Sequence, residues 1–209
     1  PYGGGIGAVE HHSESPEAML AHTPGLRVVM PSSPARAYGL LLAAIRDPDP
    51  VMFLEPTRMY RLFRQEVADD GEALPLDVCF TLRSGSDLTL VSWGAMLHET
   101  QAAADALAAE GVSTEVIDVA TLKPLDTATI LESVARTGRC VIVHEAARTA
   151  GLGAEIAACL ADEGLYSLLA PVQRVTGYDT VMPLSRLENQ YLPSVERIVA
   201  AARKTLEAS

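Results

Sequence analysis

The sequence predicts an α/β protein built from two open, mostly parallel sheets flanked by helices. Short apolar runs bounded by turn residues alternate with longer amphipathic stretches, which is the order typical of parallel sheets covered by helices. A charged, irregular run from residue 57 to about residue 75 interrupts this alternation and predicts a surface linker between two units. We therefore expect two domains, covering residues 1–73 and 74–209.

The first unit is expected to run from a glycine-rich segment through helix, strand, helix and strand. Ser15 is predicted to cap the first helix, with Pro16 at its first position, and Ser33 is predicted to begin the second. The apolar runs at residues 26–30 and 51–54 are expected to be short buried strands.

The second helix is predicted to carry its apolar residues on one face and to end abruptly. That face carries Leu40, Leu41, Ala44 and Ile45. The following Asp-Pro-Asp-Pro run at residues 47–50 stops the helix, because proline cannot continue it. Taken alone, Asp47 and Asp49 are best interpreted as parts of this stiff loop.

The second unit repeats the alternation to the end of the chain. Its expected strands are residues 88–93, 114–119, 140–144 and 172–176. The intervening helices are expected at residues 96–110, after Asp126, and at 151–163. Ser194 is predicted to cap a terminal amphipathic helix.

Charge and cysteine content restrict the class of protein. The net charge is −11, with six basic and ten acidic residues through Ala73 (−4) and ten and seventeen after it (−7). Nucleic acid is therefore not an expected partner, since its binding needs a basic face. No apolar run is long enough to span a membrane. Cys79, Cys140 and Cys159 are scattered among apolar residues and predict reduced thiols in a cytoplasmic protein.

The segment most suggestive of function is the glycine-rich run at residues 3–7, followed by His11 and His12. Glycine permits backbone conformations that other residues avoid, and a histidine held on such a turn changes its charge near neutral pH. From these residues alone, a partly exposed entry to a helix is favoured over a catalytic role.

Two further groups leave alternatives open. Arg58, Arg61 and Arg64 are spaced by helical turns, and a solvated face paired with the following acids is favoured over an anion-binding stripe. His144 and Glu145 end a predicted strand, before Gly151-Leu152-Gly153. This is not a complete dinucleotide fingerprint, so a close-packed turn at a subunit interface is favoured.

The run GGGIGAVEHHSESPEA at residues 3–18, with AHTPGLRVV at residues 21–29, resembles the beta subunits of thiamine-diphosphate-dependent 2-oxo acid dehydrogenases. These are the decarboxylating components of the pyruvate and branched-chain dehydrogenase complexes. Similar segments follow in the same order along nearly the whole chain: FLEP at residues 53–56, DLTLVSWG at 87–94, LKPLD at 122–126, VHE at 143–145 and RVTG at 174–177.

The resemblance implies a fold and an activity. The two units would be the C-terminal part of a transketolase-type pyrimidine-binding domain and the transketolase C-terminal domain. A heterotetramer with an alpha subunit would bind thiamine diphosphate and magnesium, decarboxylate the 2-oxo acid, and pass the acyl group to lipoyl arms of an acyltransferase core. The acidic second domain would dock a small basic domain of that core.

The resemblance also implies roles for particular residues. His12 matches the active-site histidine of the family, which positions or protonates the reacting intermediate or the lipoyl group. The backbone carbonyls of Ala44, Asp47 and Asp49 match ligands of a structural potassium ion. No residue of this chain matches a cofactor ligand, because the family's aminopyrimidine-binding glutamate precedes the glycine-rich segment.

The same comparison predicts an N-terminally truncated chain that is inactive alone. Ser15-Pro16-Glu17-Ala18 and Glu55-Pro56 favour a branched-chain substrate by a small margin. Pyruvate or acetoin is the alternative substrate. A non-catalytic module for assembly and docking is the alternative class of function.

Overall fold

The computed structural model describes residues 1–8 and 11–208. Val9 and Glu10, which belong to the glycine-and-histidine motif, and Ser209 lie outside the described residues. The described strands are β1 (Arg27–Val29), β2 (Val51–Phe53), β3 (Phe80–Arg83), β4 (Leu88–Ser92), β5 (Thr114–Asp118), β6 (Thr121–Lys123), β7 (Cys140–Val143) and β8 (Gln173–Val175). The described α-helices are α1 (Glu17–Ala21), α2 (Pro34–Arg46), α3 (Met96–Ala109), α4 (Thr127–Thr137), α5 (Leu152–Glu163), α6 (Glu188–Tyr191) and α7 (Val195–Glu207).

These strands form two sheets, with orders β2-β1-β6 and β3-β5-β4-β7-β8. In the larger sheet, β5, β4, β7 and β8 are parallel, and β3 is an antiparallel edge strand. In the smaller sheet, β1 is parallel to β2 and antiparallel to β6. The predicted fold class, two mostly parallel sheets flanked by helices, is confirmed. Because β6 follows β5 in the chain, the smaller sheet contains a strand from the second half of the sequence.

Three of the four predicted helix caps are confirmed. The hydroxyls of Ser33 and Ser194 and the carboxylate of Asp126 each accept a backbone N–H three residues later, at 3.1–3.3 Å. The prediction for Ser15 is wrong. Helix α1 begins at Glu17 with Pro16 in the N-cap position, so Ser15 lies outside the helix.

Helix α2 buries only part of its apolar face. Leu40 is buried, but 43% of Leu41 and 72% of Ile45 is exposed. The helix contributes Leu40 to a small core with Val29 and Ala120, and this contact is too narrow to cover the neighbouring turns. An apolar groove of about 300 Å³ lies beside it, lined in part by Leu41, Phe53, Tyr60 and Phe63.

The main core joins the two sheets. Trp93, at the end of β4, is 2% exposed and belongs to one buried cluster with Val28 and Met30 from the smaller sheet side and Ile142 from β7. A second cluster on the opposite face of the larger sheet packs α3 and α7 against it. Burying aliphatic and aromatic surface in this way is the main stabilising contribution to such a fold.

The three cysteines form no disulfide bonds with one another. The thiols of Cys79, Cys140 and Cys159 are free, and burial raises the pKa of Cys140 to about 12. Within residues 1–8 and 11–208, none of the helices combines the length and apolarity needed to cross a membrane.

Candidate functional site

The glycine-rich segment is held on both sheets by its backbone. Tyr2 forms a parallel bridge with Pro56, just after β2, with Tyr2 N–H donating to the Glu55 carbonyl at 2.8 Å. Beyond it, Gly3, Gly5 and Gly7 have φ values of +83°, +92° and +71°. Residues other than glycine rarely adopt this region, so the three glycines are required by backbone geometry.

Alternating glycine conformations turn successive N–H groups toward two carboxylates. Gly4 N–H donates to Glu145 Oε2 at 2.7 Å, and Gly5 and Gly7 N–H donate to Glu188 Oε1 and Oε2 at 2.7 and 2.9 Å. Successive N–H groups in such a turn form a concave anion site, and hydrogen bonds to an ionised acceptor are the stronger kind. We call this arrangement of residues 3–7 with Glu145 and Glu188 the glycine clamp.

The clamp is closely packed as well as hydrogen-bonded. A Cβ atom at Gly3 would lie 2.7 Å from Glu145 Oε1, and one at Gly5 would lie 2.2 Å from Arg58 Cδ. Arg58 is itself fixed by two 2.8 Å hydrogen bonds to the Glu99 carboxylate on α3. Arg58 therefore belongs to neither alternative considered from the sequence, because its partner is distant in the chain and the pair is largely buried.

Residues 11–14, which we call the histidine turn, are hydrogen-bonded to the same segment. Gly3 N–H donates to the Glu14 carbonyl at 2.9 Å, and the buried Ser13 hydroxyl donates to the Ala8 carbonyl. His11 takes a left-handed conformation, with φ of 59°, and its Nδ1 lies 3.2 Å from Glu14 Oε1. His12 follows with an exposed side chain. An exposed imidazole on a fixed turn is suited to transferring a proton to or from a bound molecule.

Below this turn lies a buried pair, Tyr2 and Glu17. The Tyr2 hydroxyl donates to Glu17 Oε1 at 2.9 Å, and both side chains are almost completely buried. Burial raises the pKa of Glu17 to about 8 and that of Glu145 to about 7, because the interior disfavours the charged carboxylate. Both carboxyl groups lie inside the protein, where Glu17 contacts Tyr2 and Glu145 contacts Gly4.

His144 is a core residue in this structure. Its ring stacks on Trp93 with centroids 5.2 Å apart, and burial lowers its pKa to about 4, so it is neutral at pH 7. A Cβ at Gly153 would lie 2.7 Å from His144 Nε2, and one at Gly151 would lie 2.8 Å from Cε1. These glycines allow α5 to approach the imidazole, which favours the close-packed turn over a nucleotide site.

Ala44 lies in the last turn of α2, and Asp47 and Asp49 lie in the loop that follows this helix. The Ala44 carbonyl lacks its usual donor four residues later, because that residue is Pro48. Arg27 Nε lies 3.4 Å from Asp47 Oδ1 and 3.6 Å from Asp49 Oδ2. Among the described residues, no group of three or more His, Cys, Asp or Glu side chains is arranged to hold a metal.

A cavity beside α1 does not include His12 among its described lining residues. It measures about 680 Å³ and is lined by residues of α1, β6 and the beginning of α5, including Met19, His22, Lys123 and Glu155. We place the candidate site at the histidine turn, because a hydrogen-bonded backbone there carries the exposed imidazole of His12.

Sequence reasoning missed Glu188, and it considered Glu145 only as part of a close-packed turn with His144. Glu188 lies in a charged, loop-like stretch and is separated by 183 positions from Gly5. The only available signal was the density of glycines, which indicates that some group approaches their backbone closely. It does not identify which group.

Two protein families match separate ranges of the chain. Residues 1–62 match the transketolase pyrimidine-binding domain family, and residues 79–198 match the transketolase C-terminal domain family. A solved structure described as a split-gene transketolase, inactive beta4 tetramer, superposes with a TM-score of 0.77 and 29% identity. The match covers 91% of this chain and 60% of that one.

Curated relatives are more similar in sequence. The pyruvate dehydrogenase E1 component subunit beta of Bacillus subtilis is 46% identical over 99% of this chain, and that of Acholeplasma laidlawii is 44% identical over 100%. In both cases the match spans 64% of the relative's length. The chain belongs to the beta-subunit family of the thiamine-diphosphate-dependent 2-oxo acid dehydrogenases, with domains of the transketolase type.

Proposed function

We propose that this chain is part of the beta subunit of a pyruvate dehydrogenase E1 component, in which His12 serves the chemistry. The observation that carries the proposal is the identity of 42–46% to several proteins of that name, over 99% or more of this chain. These relatives favour pyruvate, the alternative substrate considered from the sequence, over the branched-chain 2-oxo acids preferred there.

Cofactor and partners follow from membership of the family. When bound in the complete enzyme, thiamine diphosphate with magnesium supplies the nucleophilic carbon and the electron sink for decarboxylation. An alpha subunit completes the heterotetramer, and lipoyl groups of an acyltransferase core receive the acyl group. The chain's net charge of −11 suits docking of a basic domain of that core. Without its partners the chain is inactive.

The contribution of this chain is to hold an imidazole at the surface that faces the other components. The glycine segment fixes the turn, and the exposed His12 side chain holds or transfers a proton at a ring nitrogen. The described residues fit this supporting role, because the buried Glu17 and Glu145 side chains are engaged within the chain.

The proposal also includes a domain boundary and a potassium site. The boundary between the domains lies near residues 73 and 74, which is supported by the irregular stretch between the two family matches. The carbonyls of Ala44, Asp47 and Asp49 bind potassium. This is supported by the Ala44 carbonyl, which Pro48 deprives of a donor and leaves available to a cation.

His12→Ala tests the catalytic proposal. In the complete beta subunit reconstituted with its alpha subunit, acyl transfer to lipoyl groups is expected to fall by about 10²- to 10⁴-fold, because a positioned proton donor is lost. Assembly of the subunits, measured by size-exclusion chromatography, is expected to be unchanged. His22→Ala, an exposed histidine at the end of α1, is the matched control and should retain activity. Normal turnover in an assembled His12→Ala enzyme would favour the non-catalytic docking module.

Substrate preference is tested on the same reconstituted enzyme. We expect kcat/KM for pyruvate to exceed that for 3-methyl-2-oxobutanoate by about tenfold or more, since each added methyl group changes recognition by a factor of that order. The reverse preference would restore the branched-chain assignment and leave the role of His12 untouched.

A further inference from the structure

One carboxylate of the glycine clamp comes from the far end of the chain and lies close to the histidine turn. Glu188 is the first residue of α6 and only 5% exposed. Its two oxygens accept N–H groups from Gly5 and Gly7, at 2.7 and 2.9 Å. Neighbouring Tyr191 and Leu192 are buried in the core cluster shared with α3 and α7, so the carboxylate is anchored by a rigid part of the fold.

The glycine segment needs such an anchor. Glycine has more backbone freedom in the unfolded chain than any other residue, so a segment containing Gly3, Gly4, Gly5 and Gly7 does not maintain one conformation by itself. Two charge-assisted hydrogen bonds to one carboxylate define both the position and the direction of this backbone. Glu145 performs the same task at Gly4, nearer the start of the segment.

Hydrogen bonds to backbone groups connect the glycine segment with the residues on either side of His12. Gly7 leads to Ala8, whose carbonyl accepts the Ser13 hydroxyl, and Gly3 N–H binds the Glu14 carbonyl. His12 therefore lies between residues that are tied to the glycine segment. A shift of that segment moves the turn that carries the imidazole.

We propose that Glu188 is a positioning residue for His12, acting through the backbone N–H groups of Gly5 and Gly7. The inference rests on the proposed function, because it assigns Glu188 to the reaction that His12 serves. Glu188 does not touch substrate or cofactor in this proposal. It determines where the imidazole is presented.

The first test measures the clamp without reference to activity. Glu188→Gln replaces one acceptor oxygen by an NH2 group, which cannot accept a hydrogen bond from a backbone N–H. Hydrogen exchange, followed by mass spectrometry on the complete beta subunit, is expected to become faster in the peptide covering residues 1–8 and to stay unchanged in α5. Glu132→Gln, an exposed position on α4, is the matched control. Unchanged exchange in residues 1–8 would overturn the proposal.

The second test links the clamp to the histidine. In the reconstituted enzyme, Glu188→Gln is expected to lower kcat by about tenfold to a hundredfold with KM for the 2-oxo acid little changed, since a small displacement of a reacting group has effects of this size. In the His12→Ala background, the same substitution is expected to change the residual kcat by less than about twofold. An equal fractional loss in both backgrounds would overturn the positioning role and leave a structural one.

The two proposals fail in different ways. If His12→Ala retains full activity, the catalytic role of His12 and the positioning role of Glu188 both fall. Faster exchange in Glu188→Gln would then identify the clamp as purely structural. If His12→Ala is impaired but Glu188→Gln is fully active, only the inference about Glu188 is refuted.

Discussion

Glu17→Gln is expected to stabilise the protein at alkaline pH. Burial raises the pKa of Glu17 to about 8, from an ordinary value of 4.5, so folding favours the protonated form. This contribution is fully present below about pH 4.5 and is lost as the pH rises through 8. A buried amide keeps the acceptor for the Tyr2 hydroxyl and carries no charge at any pH. Above pH 8, we expect a gain of at most about 5 kcal/mol in the free energy of unfolding, reduced by the cost of burying the amide NH2, since Glu17 Oε2 accepts no hydrogen bond from the described residues.

Urea unfolding from pH 5.5 to 9 measures this effect. The free energy of unfolding of the parent chain is expected to decrease over this range, and the decrease should be much smaller in Glu17→Gln. Some slope should remain, because burial also raises the pKa of Glu145, to about 7. Glu132→Gln, which removes an exposed carboxylate, should follow the parent curve. Parallel curves for the parent and Glu17→Gln would show that Glu17 is not buried in its protonated form.

Acidification is expected to act on a different group and in the opposite sense. Burial lowers the pKa of His144 to about 4, from 6.5, so its contribution to stability is present above pH 6.5 and is lost as the pH falls through 4. A neutral imidazole against the indole of Trp93 is the form that the fold accommodates.

Trp93→Ala is expected to cause the largest loss of stability, about 3–5 kcal/mol, because it removes a large buried ring from the core that joins the two sheets. For a chain of this size the melting temperature should fall by about 10 °C. Circular dichroism is the suitable measurement, since Trp93 is the only tryptophan and its loss removes the intrinsic fluorescence probe.

Two comparisons make the Trp93 result specific. Tyr166→Ala removes an aromatic ring that is completely exposed and should change stability by less than about 0.5 kcal/mol. Trp93→Phe retains a ring beside His144 and should lose less than Trp93→Ala. A loss below about 1 kcal/mol in Trp93→Ala would mean that the indole does not support the junction between the sheets.

Much of the architecture follows from local patterns. The parallel strands of the larger sheet are apolar runs, and Ser33, Asp126 and Ser194 begin helices because their side chains satisfy free N–H groups. Strands β3 and β6 escaped prediction, since FTLR and TLK are too short for their alternation to be distinguished from a loop. Their pairing depends on partners distant in the sequence.

The candidate site divides in the same way. The glycine-rich segment and His12 are recognisable in sequence, because positive φ values demand glycine and the histidine follows directly. The contacts of Glu145 and Glu188 with the glycine backbone are not recognisable, since a buried carboxylate and an exposed one look alike in sequence. Only the tertiary fold brings their oxygens to the N–H groups of Gly4, Gly5 and Gly7.

The antiparallel pairing of β6 with β1 affects the order in which the protein folds during synthesis. Val28 and Val29 meet Lys123 and Thr121, so β1 gains this partner only after more than ninety intervening residues have left the ribosome. Until then β1 presents an open edge of backbone N–H and carbonyl groups, which is a template for aggregation. Folding of β1 into the smaller sheet therefore depends on a segment that is synthesised later in the chain.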